Sequence, residues 1–379
     1  MHDAVAKLQA CLDRRIAFRL AIIVAGMFLA DDRRTGSAWF VAGGVQDDWD
    51  RFYDCLINVG RTSEKLATVV LGLVVHQFVP DLPGRITVGL DDSPTARYGK
   101  HVEGAGVHHN PTPGPADGEW LYGHNWVSLA WLATHPAWGV IALPLRSLMY
   151  VLEIDVSKLV EKYDWEFRTK HQLGVELLTW FITTLRKLGV KTSVWLVVDG
   201  AYAARPFLLP ILELGIVIVS RLRRDACLFD LPAEGSHGNR IYGKHKISLA
   251  KRAGHGHGWS TITYTCRGVE VTRSYKTFLA TSRLISGKIR VVIVRFEDGG
   301  WAPWKRCVCA NKGIQGQGGL PLQLHTLRQR DGQFQRRGRR RICHRRARRE
   351  PFRKRLNQDR GLEDGSRKAN TNPRVRLIR

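Results

Sequence analysis

Two short apolar runs end in aspartate, and these residue types are those of a metal-binding site. The run at 86–90 precedes Asp91 and Asp92, and the run at 193–198 precedes Asp199. An apolar run of this length between turn residues predicts a buried strand with the acid at its carboxyl end. Carboxylate oxygens are ligands that Mg²⁺ prefers. On neighbouring strands of one sheet, these acids could hold the divalent cations that assist phosphoryl transfer.

A second interpretation exists for each acid, because an aspartate after a strand commonly caps the following turn or helix. The run Asp199-Gly200-Ala201 has the composition of such a cap. For one isolated aspartate the cap is the better explanation. Two aspartates in matching positions favour the cap and the metal site about equally.

Hydrophobic periodicity divides the chain before residue 224 into two regions. Residues 1–80 repeat apolar side chains at helical spacing and predict an N-terminal helical region. Residues 81–223 alternate strand and helix patterns, which predicts a partly parallel, mixed sheet flanked by helices. The fold class is therefore α/β. The predicted strands are 86–91, 126–133, 138–143, 194–198 and 216–220, and the predicted helices are 169–188 and 204–214.

Residues 224–304 have a different pattern and predict a β-rich segment. Alternating residues at 260–266 and 269–275 flank Arg267-Gly268, which is typical of a β-hairpin. Residues 288–296 predict a further strand. The basic stretch 240–252 suits a phosphate-facing surface, but a solvated charged face explains it equally well.

Positive charge is concentrated at the end of the chain. The formal net charge is +25, and residues 305–379 contain 23 Lys and Arg against 5 Asp and Glu. Such a surface favours polyanions, above all nucleic acid, through neutralisation of phosphates and release of counterions. Residues 305–379 have few apolar side chains and no sustained period, so we expect this tail to be largely disordered.

Other classes of protein are disfavoured by the same composition. The seven cysteines are scattered and odd in number, which is typical of reduced thiols and not of a disulfide framework. Cys307 and Cys309 lack a second pair at zinc-site spacing. The apolar stretches are too short to span a bilayer. We therefore expect a cytoplasmic protein without a membrane partner.

The order of the predicted elements resembles that of an RNase H-like sheet, in which the first and fourth strands lie side by side. This order would bring Asp91 or Asp92 close to Asp199. Two metal ions held by such acids can activate a water or a DNA 3′-hydroxyl and stabilise the leaving oxygen.

A more specific resemblance rests on several multi-residue motifs that agree in sequence and spacing. It is to the DDE-type transposases of bacterial insertion sequences, in the branch of the DDE superfamily endonucleases, and it covers roughly residues 80–304. The motifs are GLDDSPT at 89–95, YGKHVEGAGVHHNPT at 98–112, YGHNWV at 122–127, VVDGAY at 197–202, VSRLRRD at 219–225 and YKTFLA at 275–280.

This resemblance implies an RNase H-like core, a β-rich insertion, and cutting and joining of transposon ends with Mg²⁺ or Mn²⁺. Asp91 matches the first acid of the family, with Asp92 as its ambiguous neighbour, and Asp199 matches the second. The implied partners are transposon ends and target DNA, with the protein forming a homo-oligomer on DNA. The N-terminal helices would help to recognise the ends.

The third acid of the family, a glutamate on a helix, is not found. The segment 294–304 resembles the lead-in to that helix, but the chain diverges at Lys305. Glu350 lies in an Arg-rich run without a helical pattern. Glu297 and Asp298 precede two glycines and are better explained as solvated hairpin residues.

The abrupt change of composition after Trp304 suggests a shift of reading frame, because out-of-frame translation of a GC-rich gene produces Arg- and Gly-rich sequence. We hypothesise that 305–379 is not the family's own C-terminus and that the chain is truncated. Weak or no strand transfer is then expected from this chain alone.

Basic residues near the acids and on the β-rich segment are candidates for binding the DNA backbone. The runner-up hypothesis is a non-catalytic, basic nucleic-acid-binding protein in which the acids are caps. Four histidines, at 101, 108, 109 and 124, either form a wall of the active site or have no such role. The candidate DNA-binding residues are Arg97, Lys100, Arg221, Arg223, Arg224, Lys244 and Lys246.

Overall fold

The computed structural model describes residues 2–31, 34–81, 84–99, 101–110, 113, 118–135, 138–233, 241–266, 269–296 and 300–307.

The N-terminal region is formed by helices. A Cβ at Gly26 would lie 2.0 Å from the carbonyl oxygen of Trp39, so only glycine permits the close crossing of the second and third helices. Ile23, Phe40 and Phe52 form a small core here. The helices are α1 (His2–Gln9), α2 (Arg14–Leu29), α3 (Gly36–Ala42), α4 (Trp49–Arg61) and α5 (Ser63–Phe78), and a 3₁₀ turn follows at Val79–Asp81.

The strands of the described residues form one twelve-stranded sheet. Along the sheet their order is β2-β3-β1-β5-β6-β12-β11-β10-β7-β8, with β4 on β3 and β9 on β10. The strands are β1 (Arg85–Ala96), β2 (Gly106–His109), β3 (Trp120–His135), β4 (Gly139–Tyr150), β5 (Ser193–Val198), β6 (Val217–Arg221), β7 (Leu228–Phe229), β8 (Lys246–Ile247), β9 (Ser260–Cys266), β10 (Val269–Ser282), β11 (Ile285–Arg295) and β12 (Trp301–Cys307).

The middle of this sheet has the topology of an RNase H-like core. β1 pairs antiparallel with β3, β3 with β4, and on its other side β1 pairs parallel with β5, which pairs parallel with β6. The predicted first and fourth strands, β1 and β5, are therefore neighbours, and the predicted α/β fold class is confirmed. The remaining helices are α6 (Glu153–Tyr163), α7 (Lys170–Lys187), α8 (Arg205–Glu213) and α9 (Leu249–Gly254).

The two faces of the sheet carry different cores. Ile86, Val88 and Leu90 of β1 belong to the main core, which includes residues of α5, α7 and α8. A Cβ at Gly174 of α7 would lie 2.9 Å from Leu90, so this helix approaches β1 closely. The opposite face carries a smaller group that we call the second cluster, formed by Val197, Val219, Val292, Val294 and Trp304.

The strand that carries the first acids is longer than predicted. The pattern predicted a strand at 86–91, whereas β1 runs from Arg85 to Ala96. The reason is its antiparallel partner: β3 continues to pair with β1 as far as Ala96, six residues beyond the last pair with β5 at Leu90. Asp91 and Asp92 therefore lie within a strand and not at its end.

The β-rich segment extends the same sheet. β12 pairs antiparallel with β6 on one side and with β11 on the other. The predicted hairpin is present as β9 and β10, with Cys266 opposite Val269. β12 continues to Cys307 and Lys305 is buried within it, so regular structure crosses the predicted boundary after Trp304.

Some of the predictions fall on residues that the structure does not describe. Lys100, Glu297 and Asp298 are outside the described residues, and so are Glu350 and the tail from residue 308 onward. The frame-shift hypothesis and the expected disorder of the tail stay predictions. In the described part of the chain, none of the helices combines the length and the apolar character needed to cross a membrane.

Candidate active site

Asp91 and Asp199 occupy equivalent positions on two neighbouring parallel strands. The ladder between β1 and β5 runs from Arg85 opposite Ser193 to Leu90 opposite Val198. Each aspartate is the next residue after the last pair. Because paired strands lie about 4.8 Å apart, two carboxylates in these positions are close enough to share a cation.

Both aspartates follow the alternation of their strands onto the face of the second cluster. Leu90 and Val198 are fully buried in the main core. Successive side chains of a strand point to opposite faces, so the residue after each of them points away from that core. Gly89 confirms the face for β1, because a Cβ there would lie 3.4 Å from Leu132, which packs on the second cluster.

Asp199 also has the capping role that the sequence offered as an alternative. Its Oδ1 accepts hydrogen bonds from the backbone N–H groups of Ala201 at 2.9 Å and Tyr202 at 3.4 Å. The N-cap of α8 is Ala204, so Asp199 caps the preceding turn and not the helix. Both bonds use Oδ1, which leaves Oδ2 outside this turn. Capping fixes the orientation of the carboxylate and is compatible with metal binding.

Asp92 lies on the other face of β1 and is paired with a lysine. Lys170 Nζ donates to Asp92 Oδ2 at 2.7 Å, and Asn125 Nδ2 donates to the same oxygen at 3.4 Å. Lys170 is the first residue of α7, whose start is fixed by a capping box between Thr169 and Gln172. The geometry therefore favours Asp91 over Asp92 as the partner of Asp199.

Buried polar groups surround the ion pair between Asp92 and Lys170. Lys170 Nζ lies 5.3 Å from the centre of the Tyr150 ring, and burial raises the pKa of Tyr150, with smaller contributions from Glu153 and Asp92. Burial lowers the pKa of His108, and the charge of Lys170 lowers it further. Among the described residues, His108 Nε2 and Asn125 Oδ1 are buried without a hydrogen-bond partner.

The four histidines that were predicted as a possible wall of the active site lie in different surroundings. His108 is buried on the side of α7, whereas His101 and His109 are exposed. His124 Nδ1 accepts from Arg97 Nε at 3.1 Å, and its Nε2 lies 2.8 Å from the carbonyl oxygen of Glu103. Arg97, a candidate for DNA binding, is therefore held against the β1–β3 ladder and remains exposed.

The candidate arginines after β6 have different surroundings. Arg221 ends β6, one residue beyond the pair between Val198 and Ser220, and is thus adjacent to Asp199. Arg223 makes two hydrogen bonds to Asp225, at 3.0 and 2.9 Å, which lowers the pKa of Asp225. Arg224 donates to the carbonyl oxygen of Trp301.

The candidate lysines lie farther along the sheet. Lys244 and Lys246 are exposed at β8, the last strand in the order, and so are well separated from β1 and β5. The fold thus brings Arg221 to the aspartate pair and leaves these two lysines at the sheet's edge. Their DNA-binding role stays a prediction.

The donor set suits a divalent cation in part. Asp91 and Asp199 supply hard oxygen donors on one face of adjacent strands, as Mg²⁺ and Mn²⁺ require. Within the described ranges, no group of three or more His, Cys, Asp and Glu side chains could hold a metal ion. The pair is therefore a partial site in the part of the chain that the structure describes.

Lys170, the neighbour of Asp92, was not among the predicted site residues. Lys170 is 78 residues away from Asp92, and no local pattern connects them. One signal was available: adjacent residues of a strand point to opposite faces, so Asp91 and Asp92 could not both face Asp199. One of them needed a different partner.

Comparison with known proteins gives a family match. The sequence matches the family described as DDE superfamily endonuclease over residues 7–267, which begins well before residue 80 and ends before the motif at 275–280. No curated protein matches the sequence. A cryo-EM structure of a piggyBac transposase synaptic complex with hairpin DNA is similar at 10% identity and a TM-score of 0.37, covering 85% of this chain and 58% of that chain.

Proposed function

Because the chain belongs to the DDE superfamily endonucleases, we propose that it acts on DNA by divalent-metal-dependent phosphoryl transfer, as a transposase of a bacterial insertion sequence. The observation that carries this proposal is the parallel register that ends at Leu90 and Val198. It sets Asp91 and Asp199 side by side on one face of the sheet. Carboxylates side by side on adjacent strands are an arrangement that supports two-metal chemistry.

The residues of the site have separate tasks in this proposal. Asp91 and Asp199 bind Mg²⁺ or Mn²⁺, which when bound stabilises the charge on the attacking and leaving oxygens of the phosphodiester. The turn bonds from Ala201 and Tyr202 hold the Asp199 carboxylate in one orientation. Arg221 lies next to Asp199 and is placed to contact a DNA phosphate.

DNA is the proposed partner, and binding involves more than the aspartate pair. The net charge of +25 favours a polyanion, and the predicted contacts are Arg97, Arg221, Arg223 and Arg224 near the core and Lys244 and Lys246 on the β-rich segment. Transposition joins two ends of one element, so we propose a homo-oligomer on DNA.

We propose that strand transfer by this chain alone is weak or absent. The family's third acid is a glutamate on a helix after the β-rich insertion, and the sequence after Trp304 offers no helical pattern with a glutamate. Two carboxylates provide fewer ligands and less negative charge than three, so the metal ions are held less firmly. A shift of reading frame after Trp304 is the proposed origin of this sequence.

The test incubates the purified chain with DNA that carries the ends of its own element, in Mg²⁺ and in Mn²⁺. We expect DNA binding and only traces of cleavage, and these traces should vanish in Asp91→Asn and in Asp199→Asn. Asp225→Asn is the matched control, since Asp225 is an exposed aspartate paired with Arg223. Efficient strand transfer by the parent chain would contradict the proposed defect, and cleavage that survives both substitutions would contradict the site.

The alternative function is that of a non-catalytic, basic nucleic-acid-binding protein. The capping bonds of Asp199 favour it, because they give this acid a structural reason to be present. Titration with Mn²⁺ separates the two functions. Loss of metal binding in Asp91→Asn combined with Asp199→Asn supports the transposase, and unchanged binding of metal and DNA supports the alternative.

A further inference from the structure

Cations lie over aromatic rings across three neighbouring strands of the β-rich segment, β12, β11 and β10, and the adjoining helix α9. Arg224 Cζ lies 5.0 Å from the centre of the Trp301 ring. Arg295 Cζ and Lys276 Nζ lie 4.1 and 4.6 Å from the centre of the Trp259 ring. Arg252 Cζ lies 4.2 Å from the centre of the Phe278 ring. We call these seven residues the cation–aromatic ladder: Arg224, Trp301, Arg295, Trp259, Lys276, Arg252 and Phe278.

Strand pairing joins the two halves of the ladder. Arg295 at the end of β11 is paired with Trp301 at the start of β12. Directly paired residues point to the same face of a sheet, so Arg295 stands beside the ring on which Arg224 lies. Lys276 follows on β10, where it is paired with Ile293 two residues before Arg295. The ladder is therefore continuous across β12, β11 and β10.

Backbone carbonyl groups hold the cations in place. Lys276 Nζ donates to the carbonyl oxygens of Arg252 at 3.0 Å and His255 at 2.7 Å. Arg295 Nη2 donates to the carbonyl oxygen of Ala253 at 3.0 Å. These bonds also cap the end of α9, which is the plain structural role of such cations.

Capping alone does not explain so many positive charges. Lys276 and Arg295 bind the carbonyl groups at the end of α9, and Arg252, in the last turn of the helix, adds a third cation at the same place. Among the described residues, Arg224, Arg252, Lys276 and Arg295 have no ion pair with a carboxylate. Burial and the neighbouring Arg295 and Arg252 lower the pKa of Lys276. An anion on this surface would relieve the repulsion, and each cation keeps donors that the carbonyl bonds do not use.

The ladder lies on the same edge of the sheet as Asp91 and Asp199. β11 runs parallel to β5, because β6 is parallel to β5 and the two intervening pairs, β6–β12 and β12–β11, are antiparallel. Arg295 is thus at the carboxyl end of a strand three positions from β5, or about 14 Å across the sheet. Arg224 is three residues after Arg221, which adjoins Asp199. The rings of Trp301, Trp259 and Phe278 pack on the main core, whereas Asp91 and Asp199 point to the face of the second cluster, so DNA that reaches both must cross this edge of the sheet.

We propose that the cation–aromatic ladder binds the sugar–phosphate backbone of the DNA that flanks the bond held at Asp91 and Asp199. This proposal rests on the proposed function and adds to it a second DNA-binding surface. Phosphates are favoured over bases because Trp259 is half-buried on the main core and already carries two cations, which leaves little of its ring for stacking. Such binding depends on the charge of the DNA backbone and not on the base sequence.

The experiment measures duplex binding by the full chain as a function of salt. The ladder variant combines Arg224→Gln, Arg252→Gln and Lys276→Gln, since glutamine keeps hydrogen-bond donors and removes charge. The control variant combines Arg186→Gln, Lys187→Gln and Lys191→Gln, which removes three exposed charges near the start of β5, at the opposite edge of the sheet. Both variants carry the same net charge and the same basic tail.

The expected result is a smaller salt dependence in the ladder variant. The slope of log K against log [salt] should fall by about 0.9 for each phosphate that the variant no longer neutralises, or roughly 2 to 3 in total, and affinity near 0.1 M salt should fall on the order of 10- to 100-fold. Two unrelated duplex sequences should show the same decrease. The control variant should keep a slope close to that of the parent chain.

Other outcomes would overturn the proposal. Equal slopes in the two variants would show that the ladder has no special role, and a decrease confined to single strands or to one sequence would mean that it reads bases. If the triple variant does not fold, the exposed Arg224→Gln alone should lower the slope by about 0.9, with Arg224→Lys restoring it. If metal binding does not change in Asp91→Asn and Asp199→Asn while the ladder variant still lowers the salt slope, the proposed function is rejected. The proposed DNA binding by the ladder then remains supported.

Discussion

Asp91 and Asp92 are neighbours in β1, yet alternation along the strand sends them to opposite faces of the sheet. Asp91 lies on the face of the second cluster, next in register to Asp199. Asp92 lies on the face of α7, where Lys170 and Asn125 bind its carboxylate. The two acids have the same chemistry and differ in their surroundings.

Under the proposed function, one strand contributes to metal binding on one face and to stability on the other. The face of Asp92 is closed by a helix whose capped start fixes the position of Lys170. The face of Asp91 lies where β5 ends, so the register places its carboxylate beside that of Asp199 at the sheet's edge. The ladders with β3 and β5 hold the backbone of β1, and the ion pair between Asp92 and Lys170 joins this strand to α7.

Exchange of the two acids for asparagine should separate these roles, with the largest expected effect on metal binding. Asp91→Asn or Asp199→Asn should weaken Mn²⁺ binding by at least about 100-fold, because even outer-shell partners of metal ligands contribute 10- to 100-fold. Asp92→Asn should leave Mn²⁺ affinity close to that of the parent chain. Electron paramagnetic resonance of free Mn²⁺ measures both. A strong decrease in Asp92→Asn with none in Asp91→Asn would reverse the assignment.

Removal of Lys170 should affect stability more than metal binding. Lys170→Met leaves the Asp92 carboxylate without its cation, and the two side chains are 34% and 21% exposed. For a pair between the buried and exposed extremes we expect the free energy of unfolding to fall by about 1–2 kcal/mol, measured by urea denaturation.

A matched control for this substitution is Lys158→Met. Lys158 makes a similar ion pair with Asp155 at 2.6 Å, but Lys158 is 73% exposed. Its removal should have a smaller effect because water replaces the lysine easily. An equal decrease in both variants would mean that the ion pair of Asp92 has no special structural role.

The strands of the core were predictable from the sequence because burial imposes their apolar pattern, and their order across the sheet followed from the resemblance to an RNase H-like sheet. Apolar runs such as Ile86 to Leu90 are needed to fill a core between helices, and their order along the chain is the order of an RNase H-like sheet. The positions of Asp91 and Asp199 followed from those runs. Because Ile86, Val88 and Leu90 alternate on one face of the strand, the same alternation predicts the face on which each acid lies.

Contacts between distant segments were not predictable from local patterns. β1 continues to Ala96 because β3 supplies its hydrogen bonds, and nothing within 91–96 indicates this partner. The ladder was missed for the same reason: Arg224, Trp259 and Lys276 come from separate segments and meet only after β6, β12, β11 and β10 have paired. Lys276 lies in the YKTFLA motif, but the motif does not indicate that Trp259 and the carbonyl groups of α9 are its partners.

The smallest expected effect concerns pH and the buried histidine beside Asp92. Burial, then the charge of Lys170, lowers the pKa of His108 below its ordinary value, so the unfolded chain takes up the proton first as pH falls. Stability contributed by neutral His108 is therefore complete above pH 6.5, the usual pKa, and decreases as pH falls below it towards the lowered pKa. His108→Gln should flatten the acid side of the stability profile in urea denaturation, whereas His109→Gln, at the exposed neighbour, should leave it unchanged. Flattening by both substitutions, or by neither, would show that burial on the α7 face does not set this titration.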